Sequence, residues 1–229
     1  MKLKLLSKPD PAERARKRCI KKFLYYFKKG YRDQKYIDWE RQYKLDAHFQ
    51  FQQDLDADSY LKLLEQEKFE EIALKAVKIE SRTNLLFSFE KMALRDAIKT
   101  ADGAKAFALG LFEYIYGNNA LQERFENFVE VVSTLPRKQT RVLTWPLVTV
   151  FGFIGNPAEH VFLKPRVTKI AAEKYHFDFK YHSRPNWNTY QNLLEFAEQI
   201  REDTKEYKPA DYIDLQSFIW VMGSDEYPD

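Results

Sequence analysis

The sequence predicts a mainly α-helical protein, built as one multi-helix, bundle-like domain over residues 1–229. Three observations carry this expectation. Apolar residues recur at helical spacing through the first two thirds of the chain, capping and turn residues punctuate those runs, and no linker forces a domain boundary. Period-two alternation is confined to the neighbourhood of residues 160–182, where a small two-stranded β element is expected.

The first element is a basic helix at about residues 11–30. Pro9 and Pro11 precede it, Cys19, Ile20, Phe23, Leu24 and Phe27 line one face, and Gly30 closes it as a C-cap. A second helical pattern carries Ile37, Trp39, Tyr43, Ala47 and Phe51. Asp56 or Asp58 caps a short helix with Tyr60, Leu61, Leu63 and Leu64. Helical runs then follow over residues 69–79, 85–98 and 103–116, the last ending at the turn Gly117-Asn118-Asn119. Residues 121–135 repeat the pattern until Pro136 stops it.

Residues 142–154 are apolar nearly all round and too short to span a bilayer, so they form a buried element. Thr144 and Pro146 suit a helix start, while the β-branched residues also allow a buried strand. After Gly155-Asn156-Pro157, residues 160–164 are apolar, and Phe177, Phe179 and Tyr181 alternate with His176, Asp178, Lys180 and His182. Residues 165–175 read as a helix between these stretches. Asn186 caps a helix to about Tyr207, and Pro209 opens a last one that Gly223 ends.

Composition narrows the function classes. The chain is 45% hydrophobic, 16% aromatic and 31% charged, enough apolar material for a core and too much for global disorder. There is no 18-residue apolar run and no signal-peptide core, so the expected location is cytoplasmic. Cys19 is the only cysteine, which excludes an internal disulfide and every paired-cysteine zinc or redox motif. With seven glycines, no phosphate-cradling glycine loop is expected, and the sequence implies no cofactor.

The formal charge of +3 hides an asymmetry. Residues 1–35 hold 13 Lys/Arg against 3 Asp/Glu. Lys2, Lys4, Lys8, Lys17, Arg18, Lys21 and Lys22 belong to this segment and could neutralise phosphates, or form a merely solvated face. Further basic clusters sit at helix edges: Arg82 with Asn84, then Arg137, Lys138 and Arg141, then Lys164, Arg166 and Lys169, and finally Arg184 beside Trp187 and Tyr190. Guanidinium forks suit phosphate, and Trp187 is the stacking candidate for an unpaired base. The competing reading places the aromatics in the core and the cations in solvent or ion pairs.

Metal and catalytic patterns are weaker. Asp54, Asp56, Asp58 and Glu65 match the ligand spacing of an EF-hand loop, but Ser59 stands where its glycine turn should be and Lys62 where a ligand should be, so a helix N-cap explains them better. Asp178 and Lys180 have the acid-x-Lys spacing of metal-dependent nucleases, which makes a hydrolase the enzyme alternative. His176, Asp178 and His182 share a strand face, but two imidazoles six residues apart are separated by about 20 Å at ~3.3 Å per residue. A third option is a protein interaction module that docks the basic helix on an acidic partner.

The runs Leu143-Thr-Trp-Pro146, Phe162-Leu-Lys-Pro165, Arg184-Pro-Asn-Trp187 and Asp214-Leu-Gln-Ser-Phe-Ile-Trp-Val221 resemble those of a family of uncharacterised bacterial proteins. The resemblance continues upstream through Tyr36-Ile-Asp-Trp-Glu40 and residues 82–96. It implies a bacterial source and carries no assigned reaction, so no catalytic residue transfers. The stretch from Pro146 to Pro165 is also similar in pattern to helical segments accompanying McrB-like restriction ATPases, which implies nucleic-acid metabolism or defence. The expected function is a helical binding or accessory role on nucleic acid.

Overall fold

In the computed structural model, residues 10–138 and 141–229 are described; Lys2, Lys4 and Lys8 lie outside them. The mainly helical expectation holds. The helices, in chain order, are α1 (Pro11–Tyr26), α2, α3 (Ala57–Glu65), α4 (Phe69–Ser81), α5 (Ser88–Ala97), α6 (Ala101–Tyr116), α7 (Leu121–Thr134), α8 (Trp145–Gly155), α9 (Pro165–Tyr175), α10 (Trp187–Asp203) and α11 (Tyr212–Gly223). α2 starts at Gln34–Tyr36, passes through a π-helical turn at Ile37–Arg41 and continues as Gln42–Leu55. Among the described residues no helix is long and apolar enough to cross a membrane.

Side-chain caps set most of the starts. Asp10, Asp56, Thr100, Thr144, Asn186 and Asp211 each accept a hydrogen bond from a first-turn backbone N–H, donors that would otherwise lack a partner. The acidic triplet that resembles a calcium loop is thus explained: Asp56 Oδ1 accepts from the N–H groups of Asp58 and Ser59, while Asp54 accepts from Gln50. Gly30 does not cap α1, which stops at Tyr26. It opens a 3-10 turn at φ 59°, and an added Cβ would stand 3.0 Å from the Tyr207 side chain. Both the left-handed backbone and the close approach therefore require glycine.

α8 is buried at every residue, as its all-round apolar pattern demands, and α2, α4, α6 and α7 surround it. The helical alternative prevails over the buried strand because Thr144 accepts from Leu147 N–H and Pro146 sits in the first turn, where its missing donor costs nothing. α9 and α11 pack together, with α1 and α10 against them. The α9–α11 approach is close: a Cβ on Gly223 would meet the Val167 carbonyl oxygen at 2.1 Å. α1 contributes Ala15, Cys19 and Phe23 to the core, and the Phe23 ring lies 5.2 Å from that of Phe218 on α11.

The expected two-stranded β element is absent among the described residues. The alternation over residues 176–182 is nonetheless real: Phe177, Phe179 and Tyr181 pack on the core while His176, Asp178, Lys180 and His182 are exposed. What differs is the pairing. The N–H groups of Lys180 and His182 donate to Asn192 Oδ1 (2.8 Å) and Thr189 Oγ1 (3.1 Å) of α10, and the carbonyls of Lys180 and His182 accept from Thr189 Oγ1 and Trp145 Nε1. Side chains of a helix thus satisfy an extended chain that a second strand would otherwise pair.

Candidate functional site

The π turn of α2 builds the polar floor of the site. Its extra residue turns Glu40, Arg41 and Lys44 toward α11 together with Tyr36, a distortion often found at functional positions. Arg41 forks onto Asp211 (2.9 and 2.7 Å) and reaches Asp214 (2.6 Å), and Tyr36 donates to Asp214. Lys44, 2% exposed, donates to Ser217 Oγ (2.8 Å) and to Glu40, which also accepts from Tyr227. Burial pushes the Asp214 carboxyl up, opposed by Arg41, and pushes the Lys44 ammonium down, opposed by Glu40.

Above this floor lies a cleft of about 680 Å³, within the ordinary size range of ligand sites. α11 contributes Gln216 and Trp220, the start of α5 contributes Phe87, Phe89 and Glu90, and Lys164 and Arg166 enter at the start of α9. Lys44 and Arg141 also line it. Phe87 and Phe89 are stacked on each other at 5.6 Å and remain about half exposed, 50% and 49%. These paired rings stand exposed at the lip of the cleft rather than in the core.

Lys164 Nζ stands 4.4 Å from the centre of the Phe87 ring and 5.0 Å from that of Trp220. Among the described residues no carboxylate lies within 4.0 Å of it. Burial lowers its pKa, with Glu90 and Glu226 pulling the other way. Glu90 is itself raised by burial, while Phe87 N–H (3.0 Å) and Thr144 Oγ1 (2.8 Å) hydrogen-bond its two oxygens. The cleft thus holds a cation without a direct counter-charge, flanked by aromatic faces.

Arg141 extends the basic surface. It lines both the cleft and a smaller depression of about 380 Å³ that also contains Arg137 and Arg184. Arg141, Lys164 and Arg166 therefore line the cleft, and Arg137 and Arg184 line the depression that shares Arg141 with it, although the five cations come from separate segments. Arg166 keeps one exposed ion pair, with Asp225 at 2.9 Å, which solvent screens. Lys138 is exposed beside Arg137.

The other selected residues lie elsewhere. On α1, Lys17 pairs with Glu13 and Lys22 with Asp229 (2.6 Å), whereas Arg18 and Lys21 are exposed beside a separate groove at Tyr25, Tyr26 and Lys174. Lys174 and Lys22 together hold the Asp229 carboxyl down at about 2. Trp187 is half-buried, 6.0 Å from the rings of both Phe125 and Tyr190. Asp178 and Lys180 are exposed on the extended segment, and His160 is sealed in the core at 0% exposure. Among the described residues no group of three or more His, Cys, Asp or Glu is placed to hold a metal ion, so neither the Asp54-to-Glu65 set nor the His176, Asp178, His182 set converges.

Sequence reasoning missed Glu90, Gln216, Phe87 and the Trp220 face of α11. The spacing 216, 220, 223 places three cleft residues on one side of a helix, but α11 is apolar nearly all round and gives no periodic signal to separate cleft from core. Comparison with protein-family models, with curated proteins and with solved structures finds no match.

Proposed function

We propose that this protein is an accessory protein that holds an unpaired stretch of nucleic acid in the cleft between α5, α9 and α11. One observation carries the reading: cations from separate segments meet half-exposed aromatic rings, with Lys164 set against Phe87 and Trp220. Phosphates contact Arg137, Arg141, Lys164, Arg166 and Arg184, and bases stack on the Phe87, Phe89 and Trp220 faces, the combination that binds single strands with little sequence preference. The cations of α1, Arg18 and Lys21 among them, add long-range attraction and do not line this cleft.

A salt titration of labelled single-stranded oligonucleotides, followed by fluorescence anisotropy, tests the proposal. Each neutralised phosphate contributes about −0.7 to the slope of log Kobs against log salt, so five contacts give a slope near −3.5. Duplex of the same length is expected to bind at least tenfold more weakly, because its bases cannot reach the rings. A flat salt dependence, or equal affinity for duplex, contradicts it.

A further inference from the structure

Gln216 lies on the cleft-lining face of α11, one helical turn before Trp220, and is 3% exposed. Its side chain makes no hydrogen bond with any described residue, and its Oε1 is buried without a partner. A buried amide left in this state costs about 1–3 kcal/mol, and folded proteins retain few of them. Among the described residues the remaining unpartnered buried side-chain atoms, on Tyr114 and His160, lie together at one ring contact in the core, 4.5 Å between centres, and do not line the cleft. Among the described residues, Gln216 is the one cleft-lining residue with such an atom.

Its neighbours fix the ligand's chemistry. A primary amide offers one acceptor and two donors in a plane. Trp220, which lines the same cleft, stands ~6 Å further along the helix axis, four residues at 1.5 Å each, and Lys164 Nζ lies 5.0 Å from its ring centre. A flat ring stacked there would turn an edge toward the amide. The partner that satisfies both is a planar heterocycle with an N–H donor beside an acceptor, which is the Watson–Crick edge of a nucleobase. In a duplex that edge is already bonded, so the base must be unpaired.

We infer that Gln216 reads the Watson–Crick edge of one unpaired base that stacks against Trp220 in the cleft, its Oε1 accepting a base N–H and its Nε2 donating to the adjacent base acceptor. This rests on the single-strand reading above and adds to it a base contact that phosphates and stacking do not supply. Such a contact distinguishes a base with a free edge from one whose edge is blocked, with charge and stacking unchanged.

The test compares a ten-nucleotide thymidine strand with its N3-methylated counterpart, at one salt concentration, by anisotropy. Methylation removes the N3–H donor and leaves phosphates and ring faces in place. Wild-type protein is expected to bind the methylated strand about tenfold more weakly, the change that ~1.4 kcal/mol produces and within the range of one good base contact. Gln216→Leu, which fills the site without an amide, is expected to bind both strands with equal affinity and to keep the wild-type salt slope. The wild-type comparison stands even if that variant folds poorly. Equal wild-type affinity for both strands, with a steep salt slope, overturns the base contact alone and assigns the Gln216 amide to water. Failure of wild type to bind either strand overturns the single-strand reading and this inference with it.

Discussion

Replacing Asp214 by alanine is expected to cost the fold about 3–5 kcal/mol, the usual penalty for removing one partner of a buried charge network. Asp214 is 2% exposed and accepts three hydrogen bonds, from Tyr36 Oη, Arg41 Nη1 (2.6 Å) and Ala210 N–H (2.7 Å). The variant leaves the Tyr36 hydroxyl and the Ala210 amide without acceptors. Arg41 keeps Asp211, which limits the loss at that end. Urea unfolding measures it as a fall in midpoint at an unchanged slope. A loss below about 1 kcal/mol would show that the network does not join α2 to α11.

Acid is expected to weaken the fold through His160. The imidazole is 0% exposed, neither ring nitrogen has a hydrogen-bond partner, and burial, reinforced by the nearby Arg124 charge, lowers its pKa to about 3. Glu159 Oε2 comes within 3.5 Å of Nε2 without a hydrogen bond to it and accepts from Asn156 Nδ2 (3.4 Å), while Glu159 Oε1 pairs with Arg124 at 2.5 Å. The unfolded chain takes up a proton near the ordinary value of 6.5 while the folded chain refuses it until about 3. Stability from this group is therefore full above pH 6.5 and falls by ~1.4 kcal/mol per unit between those values, about 2 kcal/mol by pH 5. Glu80, Glu90 and Asp214, raised by burial, act in the opposite direction, so the comparison must be with a variant. His160→Leu, of similar volume, is expected to lie within about 1.5 kcal/mol of wild type at pH 7 and to gain about 2 kcal/mol relative to it at pH 5. Parallel pH profiles would place the proton elsewhere.

Much of the architecture was legible in the sequence because caps and helical spacing are local signals. Thr144, Asn186 and Asp56 marked helix starts that the fold keeps. Residues 176–182 misled because a period-two pattern reports which side chains are buried and not what the backbone bonds to; Thr189 and Asn192 of α10 serve where a strand was expected. The basic clusters around Arg141, Lys164 and Arg184 were visible as composition, but their convergence depends on α9 and α11 meeting near α5, which no local pattern encodes. Trp220 sits on α11, which is apolar nearly all round, and a half-buried ring in such a helix has no distinguishing neighbour in sequence. Gln216 gave no signal, since an unused amide is visible only once its surroundings are known.

The central claim is one of place: the strand lies in the cleft and not along α1. Photocrosslinking of a single strand bearing 5-iodouridine, followed by peptide mapping, tests that placement most directly. The account predicts crosslinks to the Phe87, Phe89 and Trp220 peptides, suppressed by excess unlabelled single strand. Crosslinks confined to the Tyr25 and Tyr26 peptide of α1, with the cleft unlabelled, would contradict it.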